Sequence, residues 1–126
     1  MPFIHIKSLP FEEPVDVPGI IKNIAADFSD RTGIQLNHIH TTWEFYQPGY
    51  YAKGNKAAGH QPGKNYPLIV DLLTPDFNDS ATIALMLETI ADSIARRAKF
   101  PKNNIFINHR QAHSGMVFDD GEIVHW

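Results

Sequence analysis

An α+β fold made from two copies of one β-α-β unit is what the pattern of this chain predicts. The expected layout is a four-stranded main sheet, two helices on one of its faces and a C-terminal hairpin. Three observations carry it. Alternating runs and longer helical stripes follow one another twice along 126 residues. The two series align without gaps at an offset of 66 positions. Asp120-Gly121, set between two apolar runs, is a hairpin signal.

Phe3 to Ser8 reads as a strand, with Ile4 and Ile6 on one face and His5 and Lys7 on the other. Residues 9–19 lead into a helix that Asp16 is expected to cap, with Pro18 in its first turn, where a missing N–H costs nothing. Ile20, Ile21, Ile24, Ala25 and Phe28 form its apolar stripe, and Gly33 suits a left-handed C-terminal residue. His38 to Tyr46 is a second strand, with Ile39, Thr41, Trp43 and Phe45 on one side. Residues 47–66 are rich in turn formers, and their only charges are Lys53, Lys56 and Lys64. A connection this long in a compact domain is either functional or partly disordered.

The pattern then restarts. Leu68 to Thr74 is a strand, and Asp79 or Ser80 caps a helix with Ile83, Leu87, Ile90 and Ile94 on its core face. Pro101 ends that region, Asn104 to Arg110 is another strand, and Met116 to Trp126 supplies the hairpin. The expected organisation is a single domain, 1–126: repeat one over 2–46, a connecting loop over 47–66, repeat two over 67–110 and a C-terminal hairpin over 111–126. Apolar matches such as Ile4 with Val70 and Phe28 with Ile94 follow from any doubled β-α-β. The matches of Arg31 with Arg97 and Asn37 with Asn103 point to a duplicated unit.

At 43% hydrophobic and 20% charged residues, the chain can bury a real core. A net charge of −3 argues against nucleic-acid and anionic-membrane binding, which require a basic face. Without cysteine there is no disulfide, thiolate or zinc–sulfur chemistry. No apolar run reaches membrane-spanning length and no leader pattern opens the chain, so the cytoplasm is the expected compartment. No carboxylate completes a ligand set around His38 and His40 or His109 and His113, so no metal is expected. Gly59 to Asn65 lacks the spacing and the hydroxyl of a phosphate loop, and no dinucleotide fingerprint occurs, so no cofactor is expected.

One sheet face gathers His5, Lys7, Asp71, His40, Thr42, Glu44, Phe106, Asn108 and Arg110. It is too polar for a second core and suits an inner surface of an oligomer. Glu44 and Arg110 are equivalent across the offset and opposite in charge, which suggests a pair across the pseudo-twofold or across a subunit boundary. Pro2 stands at the head of the first strand. Removal of Met1 would make it a free secondary amine. An ordinary α-amino group titrates near ~8, and burial or a neighbouring cation lowers that value. Such an amine could be a general base. With Met1 attached, its nitrogen is an amide without basicity.

Met1-Pro2-Phe3-Ile4 opening a strand, two β-α-β units, Arg31-Thr32-Gly33 ending a helix and Ile105-Phe106-Ile107-Asn108 in the last main strand together resemble the tautomerase superfamily. The pattern is closest to its macrophage migration inhibitory factor group, and the chain length resembles its 5-carboxymethyl-2-hydroxymuconate isomerase group. The resemblance implies a homotrimer with sites between subunits. It implies a tautomerase-type isomerase acting on small enol or α-keto acid substrates, with Pro2 as the base. Asn108 would donate to a substrate oxygen, and Phe106 stands where that group has tyrosine. Ile34 replaces the lysine that would bind a carboxylate, which leaves Arg110, on the same strand face as Asn108, as its substitute and Lys7 as a weaker one. The rival expectation is a non-catalytic, ferredoxin-like module that binds a ligand or partner through the polar face.

Overall fold

A computed structural model describes every residue from Met1 to Trp126. The first unit is β1 (Phe3–Ser8), α1 (Val17–Thr32) and β2 (His40–Phe45), followed by a short ribbon of β3 (Tyr51–Lys53) and β4 (Lys56–Ala58). The second is β5 (Leu68–Pro75), α2 (Ser80–Arg97) and β6 (Ile105–Ala112), followed by β7 (Val117–Asp119) and β8 (Glu122–Val124). The main sheet runs in the order β2-β1-β5-β6. β1 is parallel to β2, β5 is parallel to β6, and the central pair β1 and β5 is antiparallel.

This topology corrects the ferredoxin-like alternative. That fold splits each β-α-β by inserting a strand between its two strands. Here both strands of each unit are direct neighbours.

Local chemistry sets the helix limits. The Asp16 carboxylate accepts from the Gly19 N–H at 3.2 Å, and the Asp79 carboxylate from the Thr82 N–H at 2.8 Å, so both helices start on an acidic cap. Gly33, at φ 76°, ends α1 and donates its N–H to the Ser29 carbonyl. Ile4, Ile6, Leu68, Val70 and Leu72 from the central strands meet Ile20, Ile24 and Phe28 of α1 and Met86, Ile90 and Ile94 of α2 in one core. Each such side chain contributes roughly 1.5–3 kcal/mol by leaving water.

Three local expectations are corrected. His38 belongs to a 3-10 turn, Leu36–His38, so the second strand starts at His40. Asn104 likewise ends the turn Lys102–Asn104 and is buried, before β6 begins. On α2 the buried face is Met86, Thr89, Ile90, Ser93 and Ile94, while Ile83 and Leu87 are half-buried. The shift has a cause, because Ser93 turns inward to donate to Asp27 of α1 at 2.6 Å.

The segment 47–66 is ordered around its ribbon. Gln61 is buried and accepts from the Leu9 N–H at 3.0 Å, while its amide donates to the Tyr66 carbonyl at 2.6 Å. Asn104 donates to the carbonyls of Pro62 and Tyr66. These two amides satisfy main-chain groups that a buried loop would otherwise leave unpaired.

Candidate functional site

Pro2 is buried at the head of β1, with the same side-chain parity as Ile4 and Ile6. Its carbonyl accepts from the His40 N–H at 3.0 Å, which ties the start of β1 to the start of β2. Phe3, on the opposite face, stacks on His40 with ring centroids 4.4 Å apart. The same end of the sheet holds the end of β5, where buried Thr74 meets the ring Nε2 of His109 at 2.7 Å. His109 therefore lies on the helix side, as its parity requires, and is half-buried.

The open face carries the other candidates. Phe106, Asn108 and Arg110 are exposed on β6, and Lys7 is half-buried on β1. Phe3 is level with Leu73, and Leu73 with Arg110. Two strand spacings therefore put Arg110 roughly 10 Å from Phe3 within one chain. Pro2 points to the helix side and the β6 trio to the open side, so one chain does not assemble them into one pocket. None of the four cavities is lined by Pro2, Lys7, Phe106, Asn108 or Arg110. The largest on the helix side, about 490 Å³, lies at the other end of the sheet, between Phe11, Val15, Ile20 and Ala98.

The charges on the open face are paired locally. His5 Nε2 lies 3.3 Å from the Glu44 carboxylate, and its Nδ1 meets the Thr42 hydroxyl. Asp71 lies 3.9 Å from both Lys7 and Arg110. Glu44 and Arg110 thus do not pair with each other in the chain, because β2 and β6 are the opposite edges of the sheet, roughly 14 Å apart, and each residue meets the adjacent inner strand instead.

A second polar cluster was not legible in full. Asp76, just past β5, accepts from the Trp126 indole N–H at 2.8 Å and meets His113 Nδ1 at 2.9 Å. These contacts, the indole first, hold the Asp76 carboxyl below its ordinary range. They also pin the C-terminus and leave His113 Nε2 free. The sequence offers His113 only as one of a histidine pair and Trp126 only as the end of the hairpin, and their shared carboxylate lies 37 and 50 positions away with no periodicity to announce it.

No family model and no curated protein matches the chain in sequence. Solved structures match its shape. The F6 fused 4-OT, a wild-type asymmetric trimer, superposes with a TM-score of 0.81 at 10% identity, over 96% of this chain and 94% of that one. N1, a member of the cis-3-chloroacrylic acid dehalogenase family, gives 0.76 at 10% identity over 97% and 82%. Malonate semialdehyde decarboxylase gives 0.69 at 9% identity over 95% and 91%. The chain therefore has the tautomerase fold. Two of these structural neighbours are named for a dehalogenase family and for a decarboxylase. No helix is long and apolar enough to cross a membrane.

Proposed function

We propose that this chain is a tautomerase-type isomerase of small enol or α-keto acids, with Pro2 as its general base once Met1 is removed. The observation that carries this reading is the place of Pro2. It heads β1, one of the two central strands of a tautomerase fold, and is buried. A neutral secondary amine there accepts the proton from the enol oxygen. As the ammonium it returns that proton to the far carbon of the enol double bond, leaving a ketone.

The rest of the site comes from a second copy. Phe106, Asn108 and Arg110 stand exposed on the outer strand β6, free to face the Pro2 of a neighbour. In that arrangement Asn108 donates to the substrate oxygen and Phe106 covers an apolar face. Arg110 takes the carboxylate in bidentate fashion, its 3.9 Å contact to Asp71 being loose enough to yield. Lys7, shared with the same Asp71, is the auxiliary cation. This division puts the sites between subunits, and the trimeric fused 4-OT structures support a homotrimer as the assembly. Two neighbours named for small acids, cis-3-chloroacrylic acid and malonate semialdehyde, support the substrate size.

The test is ketonisation of an aryl enol-pyruvate by protein whose mass shows Met1 gone. Pro2→Ala is expected to lower the rate by about a hundredfold or more. Full activity in Pro2→Ala, or none in wild type with a free Pro2, overturns the proposal.

A further inference from the structure

The turn of the β3–β4 ribbon borders a cavity of about 500 Å³, lined by Lys53, Gly54, Asn55, Lys56, Asn65 and Tyr66. Small-molecule sites have this size. The lining brings together two cations and two side-chain amides, with no carboxylate among them. Strand alternation explains why both lysines face it. Successive cross-strand pairs point to opposite sides of a ribbon. Tyr51 with Ala58 is half-buried on the inner side, and Ala52 with Ala57 is exposed on the outer side. Lys53 with Lys56, the next pair, returns to the inner side. There the rings of Tyr51 and Tyr66 meet edge-on at 5.4 Å.

Two directly opposed ammonium groups repel, which costs stability unless a counter-charge sits between them. The chain supplies none. Segment 47–66 has three lysines and no acid, in a chain whose net charge is −3. Neither Lys53 nor Lys56 takes part in an ion pair. At the equivalent turn, 66 positions on, the opposed pair is Asp119 and Glu122, and the β7–β8 ribbon lines no cavity. The basic pair and the cavity therefore occur together, in one half only.

The facing wall is fixed in advance. Asn65 has φ 71°, a left-handed conformation that a non-glycine residue adopts at a cost. Two buried amides hold the loop around it. Gln61 donates to the carbonyls of Pro62 and Tyr66, and Asn104 donates to the same two. The Tyr66 hydroxyl donates to the Lys56 carbonyl at 2.9 Å, which ties this wall to the ribbon. A wall ordered before binding spares a ligand that entropy.

We infer that this cavity binds a small dianion, the phosphate of a monoester or a dicarboxylate. The two ammonium groups take charged oxygens, and the amides of Asn55 and Asn65 donate to those that remain. A single negative charge would leave one lysine uncompensated, so the site selects for two. It lies apart from the proposed substrate site. β2 is parallel to β1, so the ribbon that follows β2 leaves the sheet at the end away from Pro2. The inference does not need Pro2 to be a base.

Isothermal titration calorimetry in low salt at pH 7.5, where a phosphate monoester is largely dianionic, tests it with phenyl phosphate, succinate and acetate. One dianion should bind once per chain, with acetate weaker by about tenfold or more, because it engages one lysine and not both. The tighter of phenyl phosphate and succinate tells a phosphate site from a dicarboxylate site. Lys53→Gln and Lys56→Gln should each weaken that binding by about tenfold, the loss of a charge-assisted contact. Asn65→Gly keeps the left-handed backbone, removes one neutral donor and should weaken it by about threefold. Lys64→Gln removes the same charge from outside the cavity lining and should leave it unchanged, as should Arg110→Gln in the proposed substrate site. Circular dichroism separates a lost site from a lost fold. Overturning results are no saturable binding of either dianion, acetate bound as tightly, a loss in Lys64→Gln equal to that in Lys53→Gln, or a loss confined to Arg110→Gln.

Discussion

The halves spanning 3–58 and 69–124 share one backbone plan and almost no surface. Their 3-10 turns and ribbons recur at an offset of 66, and their strands and helices recur around it with ends differing by one to three residues. Two contacts mark the pseudo-twofold that relates them, since each joins positions 66 apart. His5 lies opposite Asp71 in the central ladder, and Ser93 donates to Asp27 between the helices. Core positions kept their apolar character, as with Phe28 and Ile94, both fully buried. Polar positions diverged until several became opposites. The difference teaches that burial and main-chain conformation hold the plan, while exposed positions are free to acquire complementary roles. Four measurements break or sharpen that comparison.

The largest effect belongs to the core. Phe28→Ala should cost about 4 kcal/mol and Ile94→Ala about 3 kcal/mol, because each leaves a cavity under a sheet that cannot collapse onto it. Urea unfolding at neutral pH measures both. Near-equal losses would show that the halves share the load, whereas a loss confined to one would show that the other is a passenger.

Next comes the axis itself. Asp27 accepts from Ser93 at 2.6 Å, from Arg96 at 2.9 Å and from Arg97 at 3.0 and 2.8 Å. Hydrogen bonds from Arg97, ahead of the opposing effect of burial, hold its carboxyl well below the ordinary carboxylate range. A depressed folded pKa gives stability that is present above the unfolded value near ~4 and is lost as pH falls through the folded one. Asp27→Asn should therefore cost about 2–3 kcal/mol at pH 7 and flatten the acid limb of the stability profile. Ser93→Ala, which removes one neutral donor, should cost about 1 kcal/mol and leave that limb in place. Thermal melts from pH 2 to 7 distinguish the two.

What the sequence made legible follows the same division. Strand faces, both acidic helix caps, Gly33 and the Asp120-Gly121 turn, with φ 49° and 83°, are written in local periods and local chemistry. The β3–β4 ribbon was not legible, because the Gly54-Asn55 turn, with Gly54 at φ 61°, is flanked by Tyr-Ala-Lys and Lys-Ala-Ala and not by apolar runs. Gln61 read as a loop residue and Asn104 as the start of a strand, because their partners are main-chain carbonyls that only the folded loop presents. For the candidate site, parity placed Phe106, Asn108 and Arg110 on one face, but parity cannot give the distance from Pro2. That distance depends on strand order, which puts β5 between them.

A smaller effect comes from the helix ends. Gly33 has φ 76°, and its equivalent, Lys99, has φ 52°. The second half thus kept the left-handed turn without the residue that adopts it freely. A Cβ at Gly33 would meet nothing within 4 Å, so the cost of Gly33→Ala is conformational, about 1 kcal/mol. Lys99→Gly should relieve comparable strain and gain up to about 1 kcal/mol. Opposite signs in chemical denaturation would confirm that the backbone was conserved and the side chain was not. Equal losses would mean that Lys99 makes a compensating contact.

The smallest stability effect is the most informative about function. Glu44 and Arg110 occupy equivalent positions, with side chains 60% and 61% exposed, and each makes one ion pair to an inner strand. Exposed pairs of this kind contribute a few tenths of a kcal/mol, so Glu44→Gln and Arg110→Gln should unfold within about 0.5 kcal/mol of wild type. Kinetics should separate them. If Arg110 holds the substrate carboxylate of a neighbouring Pro2, its replacement raises KM by about tenfold or more, since a bidentate charge-assisted contact is lost. Glu44→Gln leaves KM unchanged. Equal kinetic effects from the two would return Arg110 to the rank of a structural charge and move the search for the carboxylate ligand to Lys7.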